Sequence, residues 1–148
     1  MKNINLKNKK AYFKYEVIDQ YIAGVVLQGT EIKSIRENNF SFSDSYCYFI
    51  GKELFLKNFH IAEYKEGTYN NHVPTRDRKL LLNKRELRSL KDDVKDGGLT
   101  IVPLRIYINE KGFCKFDIGL VKGKKQFDKR NEIKNKDLKR EEDRKMKL

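Results

Sequence analysis

The feature that most constrains the fold is a pair of runs, between residues 104 and 120, in which apolar and polar residues alternate. The apolar members are Leu104, Ile106 and Ile108 in the first run and Cys114, Phe116, Ile118 and Leu120 in the second. A period of two places such side chains on one face of a strand. The runs therefore predict an antiparallel hairpin, and both apolar sets share one face only if Ile108 pairs with Cys114.

The same register determines the polar face of this hairpin. Tyr107 then lies opposite Lys115, and Arg105 lies opposite Asp117. We therefore expect Lys115 to point outward beside an aromatic ring, where a phosphate could reach its ammonium group.

Five further segments rich in β-branched and aromatic residues predict strands. They are residues 12–18, 25–36, 46–50, 53–56 and 58–64. Gly29 in the long second segment lies where a bulge or bend would help a sheet to curl. Gly51-Lys52 separates the third segment from the fourth and suits a two-residue type II′ hairpin turn. Loops are predicted at residues 38–45 and 68–79.

One helix is predicted from its ends. Asn83 stands three residues before Glu86, as in a capping box, and Gly97-Gly98 provides a terminator. The apolar stripe between these ends consists of Leu87, Leu90 and Val94.

About six strands with one main helix predict a mainly β fold. We expect a closed or nearly closed antiparallel β-barrel with flanking helices, which resembles the OB type that binds oligonucleotides on its strand faces and loops. Residues 1–121 would form this barrel domain, and residues 122–148 would form a separate tail.

The tail is basic and is not expected to fold alone. Twelve Lys or Arg stand there against six Asp or Glu, which gives +6 of the formal net charge of +12. Its few apolar residues cannot offset the entropy of ordering. Acid-first i,i+4 pairs such as Glu132 with Lys136 favour a helix. We predict a tail that is disordered when free and helical on a polyanionic surface; a purely solubilising tail is the alternative.

The charge of the whole chain restricts its partners. A pI near 9.6 points to RNA, DNA or an anionic membrane. Because no apolar run reaches spanning length and the first residues lack the apolar region of a signal peptide, we expect a cytoplasmic protein without a membrane partner.

The cysteines are predicted to be buried, reduced thiols. Cys47 and Cys114 lie in strand-like runs and have no CxxC partner. Their spacing relative to His60 and His72 does not suggest a zinc site, and we expect neither a metal nor a cofactor.

Basic and aromatic residues supply candidates for RNA contact. Asn8-Lys9-Lys10 precedes the first strand. Further cations, Arg76, Arg78 and Lys79, lie in one predicted loop, for which a solvated loop is the alternative. The tyrosines that could stack on bases are Tyr15, Tyr46, Tyr48 and Tyr107. Core positions are the more frequent reading for aromatic residues of a barrel.

No catalytic motif stands out in the sequence. His60 and His72 could serve a ribonuclease as acid and base, but nothing in the sequence places them together. A partly buried strand residue with satisfied hydrogen bonds is the more economical interpretation of His60.

Five ordered motifs resemble the SsrA-binding protein (small protein B) family. They are residues 8–11 (NKKA) with 23–36 (AGVVLQGTEIKSIR), 44–46 (DSY), 72–82 (HVPTRDRKLLL), 102–104 (VPL) with Lys115, and 122–130 (KGKKQFDKR). The resemblance covers residues 8–130 almost continuously, which makes the set far more specific than any single motif.

The resemblance implies an OB-like barrel and a non-enzymatic adaptor role, without cofactor, for a protein that we expect to be a monomer. Such proteins bind transfer-messenger RNA (tmRNA) and bring it to bacterial ribosomes stalled on broken messages. The implied RNA-binding candidates are Asn8, Lys9, Lys10, Tyr15, Glu31, Lys33, Arg36, Tyr46, Arg76, Arg78, Lys79, Leu81 and Lys115. The implied tail residues for the ribosomal decoding region are Lys122, Gly123, Lys124, Lys125, Asp128, Lys129 and Arg130.

Two positions depart from the family pattern. The chain has Ile22 where the family usually carries Glu, and Phe127 where many members carry His. An RNA contact inferred for the first position does not carry over, whereas Phe127 could still stack on a base.

Two other functions compete with the adaptor. A ribosomal or general single-strand RNA-binding OB protein would tolerate RNA of scrambled structure, whereas the adaptor should require a folded tRNA-like elbow. A small ribonuclease would degrade RNA, which incubation of RNA with purified protein would reveal.

Overall fold

The computed structural model describes residues 4–67, 71–95 and 97–124. In chain order the elements are β1 Asn5–Lys7, α1 Lys9–Lys14, β2 Tyr15–Val25, α2 Gly29–Arg36, β3 Phe40–Ser41, β4 Tyr46–Ile50, β5 Glu53–Lys57, β6 His60–Ile61, β7 Arg78–Leu81, α3 Lys84–Lys95, β8 Leu99–Ile108 and β9 Cys114–Gly123.

Six antiparallel strands close into a barrel, the architecture that the sequence predicts. The predicted strand over residues 58–64 is not one of them, because only His60–Ile61 is a strand there and it lies outside the ring; β7 takes the place in the ring. Around the ring the order is β8, β4, β5, β7, β2 and β9, and β9 returns to pair with β8. The short strand β1 adds to the outer side of β8, and β3 pairs with β6 in a separate two-stranded ribbon. Closure leaves no open sheet edge in the ring, and it presents an outer surface on which loops and helices are carried.

The β8–β9 hairpin has the predicted register. Ile108 pairs with Cys114, Tyr107 with Lys115 and Arg105 with Asp117. The Arg105 Nε donates to Asp117 Oδ2 at 2.8 Å, so an ion pair on the polar face joins the two strands.

One residue of this hairpin faces the other way from its prediction. The register shifts between Pro103 and Arg105, so Leu104 is a bulged residue. Its side chain packs over Gly119, where a Cβ would lie 2.6 Å from Leu104 Cδ1. Leu104 therefore belongs to a small core beneath α1 rather than to the barrel interior with Ile106.

The β4–β5 hairpin is also confirmed. Ile50 pairs with Glu53 across the two-residue loop Gly51-Lys52, and Gly51 has a φ of +62°. A type II′ turn requires such a φ at its first central position, which glycine adopts without steric cost.

The predicted strand over residues 25–36 is wrong beyond Val25. A helix, α2, begins at Gly29, and Glu31 Oε1 accepts from the Gln28 N–H at 2.8 Å, as in a capping box. Glu31 and Ile35 are fully buried on one side of this helix, which is a helical rather than an alternating pattern. Gly29 is therefore a helix start and not a bulge, and a Cβ there would meet nothing within 4 Å.

The first predicted strand, residues 12–18, begins later than expected. Asn8 caps a six-residue helix, α1, and β2 then runs without a break from Tyr15 through Ala23-Gly24 to Val25. The predicted loop over residues 68–79 ends earlier than expected, since Arg78 and Lys79 are the first residues of β7.

The main helix α3 matches its prediction. Glu86 N–H donates to Asn83 Oδ1 at 2.8 Å, Leu90 is fully buried, and Gly97 follows with a φ of +78°.

Inside the barrel, the Phe59 ring packs edge-on against Phe116 at 5.2 Å between centroids. In the part of the chain that the structure describes, no helix is both long and apolar enough to cross a membrane.

Candidate nucleic-acid interface

The first candidate site is a surface cleft of about 160 Å³ between α1 and the start of β4, which we call the α1 cleft. Its lining includes Asn8, Lys10, Lys14, Tyr15, Asp44 and Tyr46. Four of these, Asn8, Lys10, Tyr15 and Tyr46, are RNA-binding candidates from the sequence, and the structure brings them together across 38 residues of chain.

Within the α1 cleft, Asn8 has a structural task. Its Nδ2 donates to the Pro103 carbonyl at 2.8 Å, and its Oδ1 accepts from the Ala11 N–H at 3.4 Å. Because both polar atoms are paired and the residue is buried, Asn8 fixes α1 on β8 and so positions the lysines of that helix.

The lysines of the α1 cleft face one exposed carboxylate. Asp44 Oδ1 lies 3.7 Å from Lys10 Nζ and 4.0 Å from Lys14 Nζ. Such long, exposed pairs contribute little energy, so a phosphate can displace the carboxylate. Sequence reasoning missed Lys14; the signal available was its i,i+4 spacing from Lys10 on a helix that had not been predicted.

The second site lies at the end of the barrel where β2, β7 and the β8–β9 turn meet, and we call it the Leu81 cleft. Its lining includes Gly24, Leu81, Phe113 and Lys115. Leu81 is 49% exposed and Phe113 is 62% exposed, although both are large and apolar. The predicted candidates Leu81 and Lys115 are thus neighbours, whereas Phe113 was missed because turn residues carry no periodicity.

Gly24 allows these side chains to meet. A Cβ at this position would lie 3.4 Å from Leu81 Cβ and 3.6 Å from Lys115 Nζ. Arg36 adds a second cation, since its Nη2 lies 3.7 Å from where a Cβ of Gly112 would be. The Leu81 cleft therefore combines exposed apolar surface with cations, which suits a nucleotide whose base and phosphate need different contacts.

Besides the buried Asn8, two of the predicted RNA-binding residues are fully enclosed. Glu31 and Arg78 are both 0% exposed, and Arg78 Nε donates to Glu31 Oε2 at 2.5 Å. Arg78 also donates to the backbone carbonyls of Phe59 and Pro74. In this structure these contacts join α2 to the loop before β7.

Arg76 is the partly exposed member of this network. Its Nη2 donates to Glu31 Oε1 at 2.5 Å, and 29% of its side chain remains exposed. One carboxylate thus holds two guanidinium groups, and Arg76 is the one from which an anion could accept a hydrogen bond.

The charge state of Glu31 follows from its contacts. Burial raises its pKa, but the hydrogen bonds from Arg76, from the Gln28 N–H and from Arg78 outweigh burial, so that the pKa lies below its ordinary value of 4.5. Burial lowers the pKa of Arg78, against the opposing effect of Glu31.

The remaining predicted cations lie on the surface. Lys9, Lys33 and Arg36 are exposed, and Lys33 Nζ stands 5.5 Å from the centroid of the Tyr64 ring. Lys79 is half-exposed and makes an ion pair with Glu53 at 3.0 Å.

The candidate tyrosines are half-buried on the outer side of the barrel. Tyr15 and Tyr46 also pack against the small core beneath α1, so the core interpretation holds in part for these two. Tyr48 OH donates to Asp77 Oδ2 at 2.6 Å, which raises the pKa of Tyr48. The Arg105 guanidinium lies 4.5 Å from the Tyr107 centroid. Tyr15 and Tyr46 line the α1 cleft, and they are therefore the two best placed to meet a base.

The histidines do not form an acid–base pair on one surface. His72 is buried, with Nδ1 2.8 Å from Thr30 Oγ1 and Nε2 2.9 Å from the Ile61 carbonyl. His60, predicted to be partly buried, is exposed. Cys47 and Cys114 are buried free thiols, as predicted, and burial raises the pKa of both.

The start of the predicted tail is part of the barrel. Lys122 and Gly123 complete β9 and pair with Glu16 and Tyr15, and the Lys124 N–H donates to the Lys14 carbonyl at 3.0 Å. The chain thus leaves the barrel beside α1. The tail candidates Lys125, Asp128, Lys129 and Arg130, with Phe127, lie outside the described residues.

The fold and the two clefts define a small antiparallel barrel of OB type whose surface carries adjoining basic, aromatic and apolar side chains. The family model described as SmpB protein matches residues 5–148. The chain therefore belongs to the SmpB protein family.

Relatives and a solved structure support this membership. The SsrA-binding protein of Phocaeicola vulgatus is 60% identical over 95% of this chain and 94% of its own length. That of Thermosipho africanus is 47% identical over 90% and 89%. A chain in the solved structure described as "tmRNA-SmpB: a journey to the center of the bacterial ribosome" has a TM-score of 0.70 and 48% identity, covering 82% of this chain and 85% of its own.

Proposed function

We propose that this chain is an RNA-binding adaptor that holds the tRNA-like domain of tmRNA and delivers it to stalled bacterial ribosomes for tagging and rescue. The observation that carries the proposal is the family match over residues 5–148, together with the 48% identical structural relative whose description names tmRNA, SmpB and the ribosome.

The surface of the barrel supports RNA as the ligand. Lys10 and Lys14 stand beside Tyr15 and Tyr46 in the α1 cleft. Cations supply the phosphate contacts that dominate affinity, and aromatic rings accept bases by stacking. A folded RNA that spans more than one cleft would be selected by its shape, as is usual for structured RNA.

In this proposal the Leu81 cleft grips a single nucleotide of the tRNA-like domain. An unpaired base or ribose would cover Leu81 and Phe113, which removes exposed apolar surface from water. The adjacent phosphate would lie against Lys115, whose ammonium group is next to the Leu81 side chain across Gly24.

The tail is proposed to act at a later stage than RNA capture. Residues 125–148 carry many cations and few apolar groups, so their ordering must be driven by a polyanion such as ribosomal RNA. We propose that Lys125, Asp128, Lys129 and Arg130 order in the decoding region when no codon–anticodon helix occupies it.

Two single substitutions test the grip. Lys115→Ala should lower affinity for the tRNA-like domain and flatten the slope of log affinity against log salt by about one unit. Leu81→Ala should lower affinity with the slope unchanged, because it removes no charge. The control is Lys65→Ala, an exposed lysine outside both clefts. An unchanged affinity and slope for Lys115→Ala would show that this lysine is only solvated.

Truncation after Lys124 tests the division of labour. The truncated barrel keeps all of β9, so it should fold and retain much of its RNA capture in a gel-shift assay. It should fail to support tagging on ribosomes stalled without a codon. Normal tagging would make the tail a solubility device, and equal loss of capture and tagging would place the tail in the RNA grip. Equal affinity for a scrambled RNA would favour a general RNA-binding protein instead.

A further inference from the structure

A third groove, between α3 and the β4–β5 turn, gathers four cations for which neither the sequence motifs nor the proposed function accounts. We call it the α3 groove; it is lined by Lys52, Lys84, Leu87, Arg88 and Lys91. With about 430 Å³ it has more room than the α1 cleft or the Leu81 cleft. Leu87 packs inward against the barrel core, so the groove has an apolar floor and a cationic rim.

The helical repeat of α3 brings three of these cations to one side of the helix. Lys84, Arg88 and Lys91 stand at i, i+4 and i+7, which places them on one side of the helix, about 6 Å and 4.5 Å apart along its axis. Lys52 comes from the β4–β5 turn opposite. Lys91 Nζ donates to the Gly51 carbonyl at 2.8 Å and so holds this turn against the helix.

These charges are not neutralised by the barrel. Among the described residues, no carboxylate oxygen lies within 4 Å of the charged groups of Lys52, Lys84, Arg88 or Lys91. Like charges at i,i+3 and i,i+4 on a helix destabilise it. An anion bound along this side of the helix would offset the repulsion among Lys84, Arg88 and Lys91.

The α3 groove adjoins the proposed RNA grip through the chain itself. Lys84 stands three positions after Leu81 in the chain, so their Cα atoms are at most about 11 Å apart. The long side chain of Lys84 extends this reach further. This Cα separation is short enough for one RNA strand to reach both Leu81 and Lys84.

We propose that the α3 groove binds the sugar–phosphate backbone of the same RNA that occupies the Leu81 cleft, immediately next to the gripped nucleotide. This inference rests on the proposed function for the identity of that RNA, the tRNA-like domain of tmRNA. Lys84, Arg88 and Lys52 contact successive phosphates, and Lys91 holds the turn that carries Lys52. The contacts are electrostatic and independent of base sequence.

The test compares two double variants that remove the same charge. Lys84→Ala/Arg88→Ala empties the rim of the groove, whereas Arg85→Ala/Lys65→Ala removes two exposed cations outside its lining. Alanine favours the helix, so both variants should fold, as checked by circular dichroism. Affinity for the isolated tRNA-like domain is then measured by gel shift from about 50 to 200 mM salt, the range over which phosphate contacts dominate.

Loss of two phosphate contacts should reduce the salt slope by about 1.4–1.8 units. The ratio of wild-type to groove-variant affinity should therefore shrink roughly 7- to 12-fold between about 50 and 200 mM salt. In the control double variant, the slope of log affinity against log salt should stay close to that of the wild type, because neither the lysine nor the arginine removed there is proposed to contact a phosphate.

Equal slopes for the two double variants would overturn the inference while leaving the adaptor function intact. Normal RNA capture combined with weaker binding to ribosomes would also overturn it, because the anion would then be ribosomal RNA. Failure of the proposed function would look different: the wild-type protein would bind the tRNA-like domain no better than a scrambled RNA.

Discussion

Replacing Glu31 by Gln should be among the most destabilising single changes in the barrel. The substitution keeps the size of the side chain and an oxygen that can still accept from the Gln28 N–H. It removes the negative charge that Arg76 and Arg78 share. Arg78 is 0% exposed, so its guanidinium would be left as an uncompensated charge in the protein interior.

The magnitude follows from that burial. Breaking a buried ion pair by removing one partner costs about 3–5 kcal/mol, against a total stability of about 5–15 kcal/mol for a domain. For a domain of this size each kcal/mol shifts the melting temperature by about 3–5 °C, so the expected fall is roughly 9–25 °C.

A matched control isolates the role of burial. Glu53→Gln breaks the Lys79 ion pair, which has an N–O distance of 3.0 Å but side chains that are 41% and 53% exposed. Exposed pairs contribute about 0–1 kcal/mol, so this variant should melt close to the wild type. The free energy of unfolding of both variants can be measured by urea unfolding, followed by far-UV circular dichroism because the chain has no Trp for fluorescence.

The pH dependence provides an independent check. Because the pKa of Glu31 is lower in the folded state than its ordinary value of 4.5, its contribution is fully present above about pH 4.5 and is lost as pH falls through the folded-state pKa. The stability difference between wild type and Glu31→Gln should therefore narrow below pH 4.5. A cost under about 1 kcal/mol at pH 7, or a difference that does not narrow in acid, would refute the reasoning.

Three further outcomes are expected. Gly29→Ala should raise the free energy of unfolding by about 0.4–1 kcal/mol, because Gly29 begins α2 and a Cβ there would meet nothing within 4 Å. A loss of stability would instead favour a bulge at this position. Gly119→Val should cost about 1–3 kcal/mol or more in urea unfolding, since its Cβ would press on the buried Leu104 side chain at 2.6 Å. The thiols of Cys47 and Cys114 should react with a disulfide reagent at pH 8 only after denaturation, because burial raises the pKa of Cys114 to about 12 and that of Cys47 as well.

The barrel could be predicted from the sequence where one periodicity governed a whole segment. The register of β8 with β9 followed from matching two alternating runs, and the structure has that register from Arg105 to Ile108. The bulge at Leu104 could not be predicted, because it depends on the apolar underside of α1, a six-residue helix too short to show a helical period.

The helix α2 was missed for a different reason. The segment contains Val25, Val26, Ile32 and Ile35, and β-branched residues favour strands when only local preference is considered. The opposing signal was Glu31 three residues after Gln28, which caps the helix. Tertiary contacts decided the outcome, since the helix buries Glu31 against arginines 45 and 47 residues away.

These contacts change how the family-like motifs should be interpreted. The motifs at residues 23–36 and 72–82 are joined inside the protein, by Glu31 with Arg76 and Arg78 and by Thr30 with His72. A residue in either motif can therefore resemble the family because the fold needs it, and not because RNA touches it. Exposure separates the two cases: Leu81 and Arg36 of these motifs are open to a ligand, whereas Glu31 and Arg78 are enclosed. Loss of RNA binding on mutating an enclosed residue would thus report a displaced Arg76 or an unfolded barrel. Only a variant that keeps its melting temperature while losing affinity identifies a residue of the RNA interface.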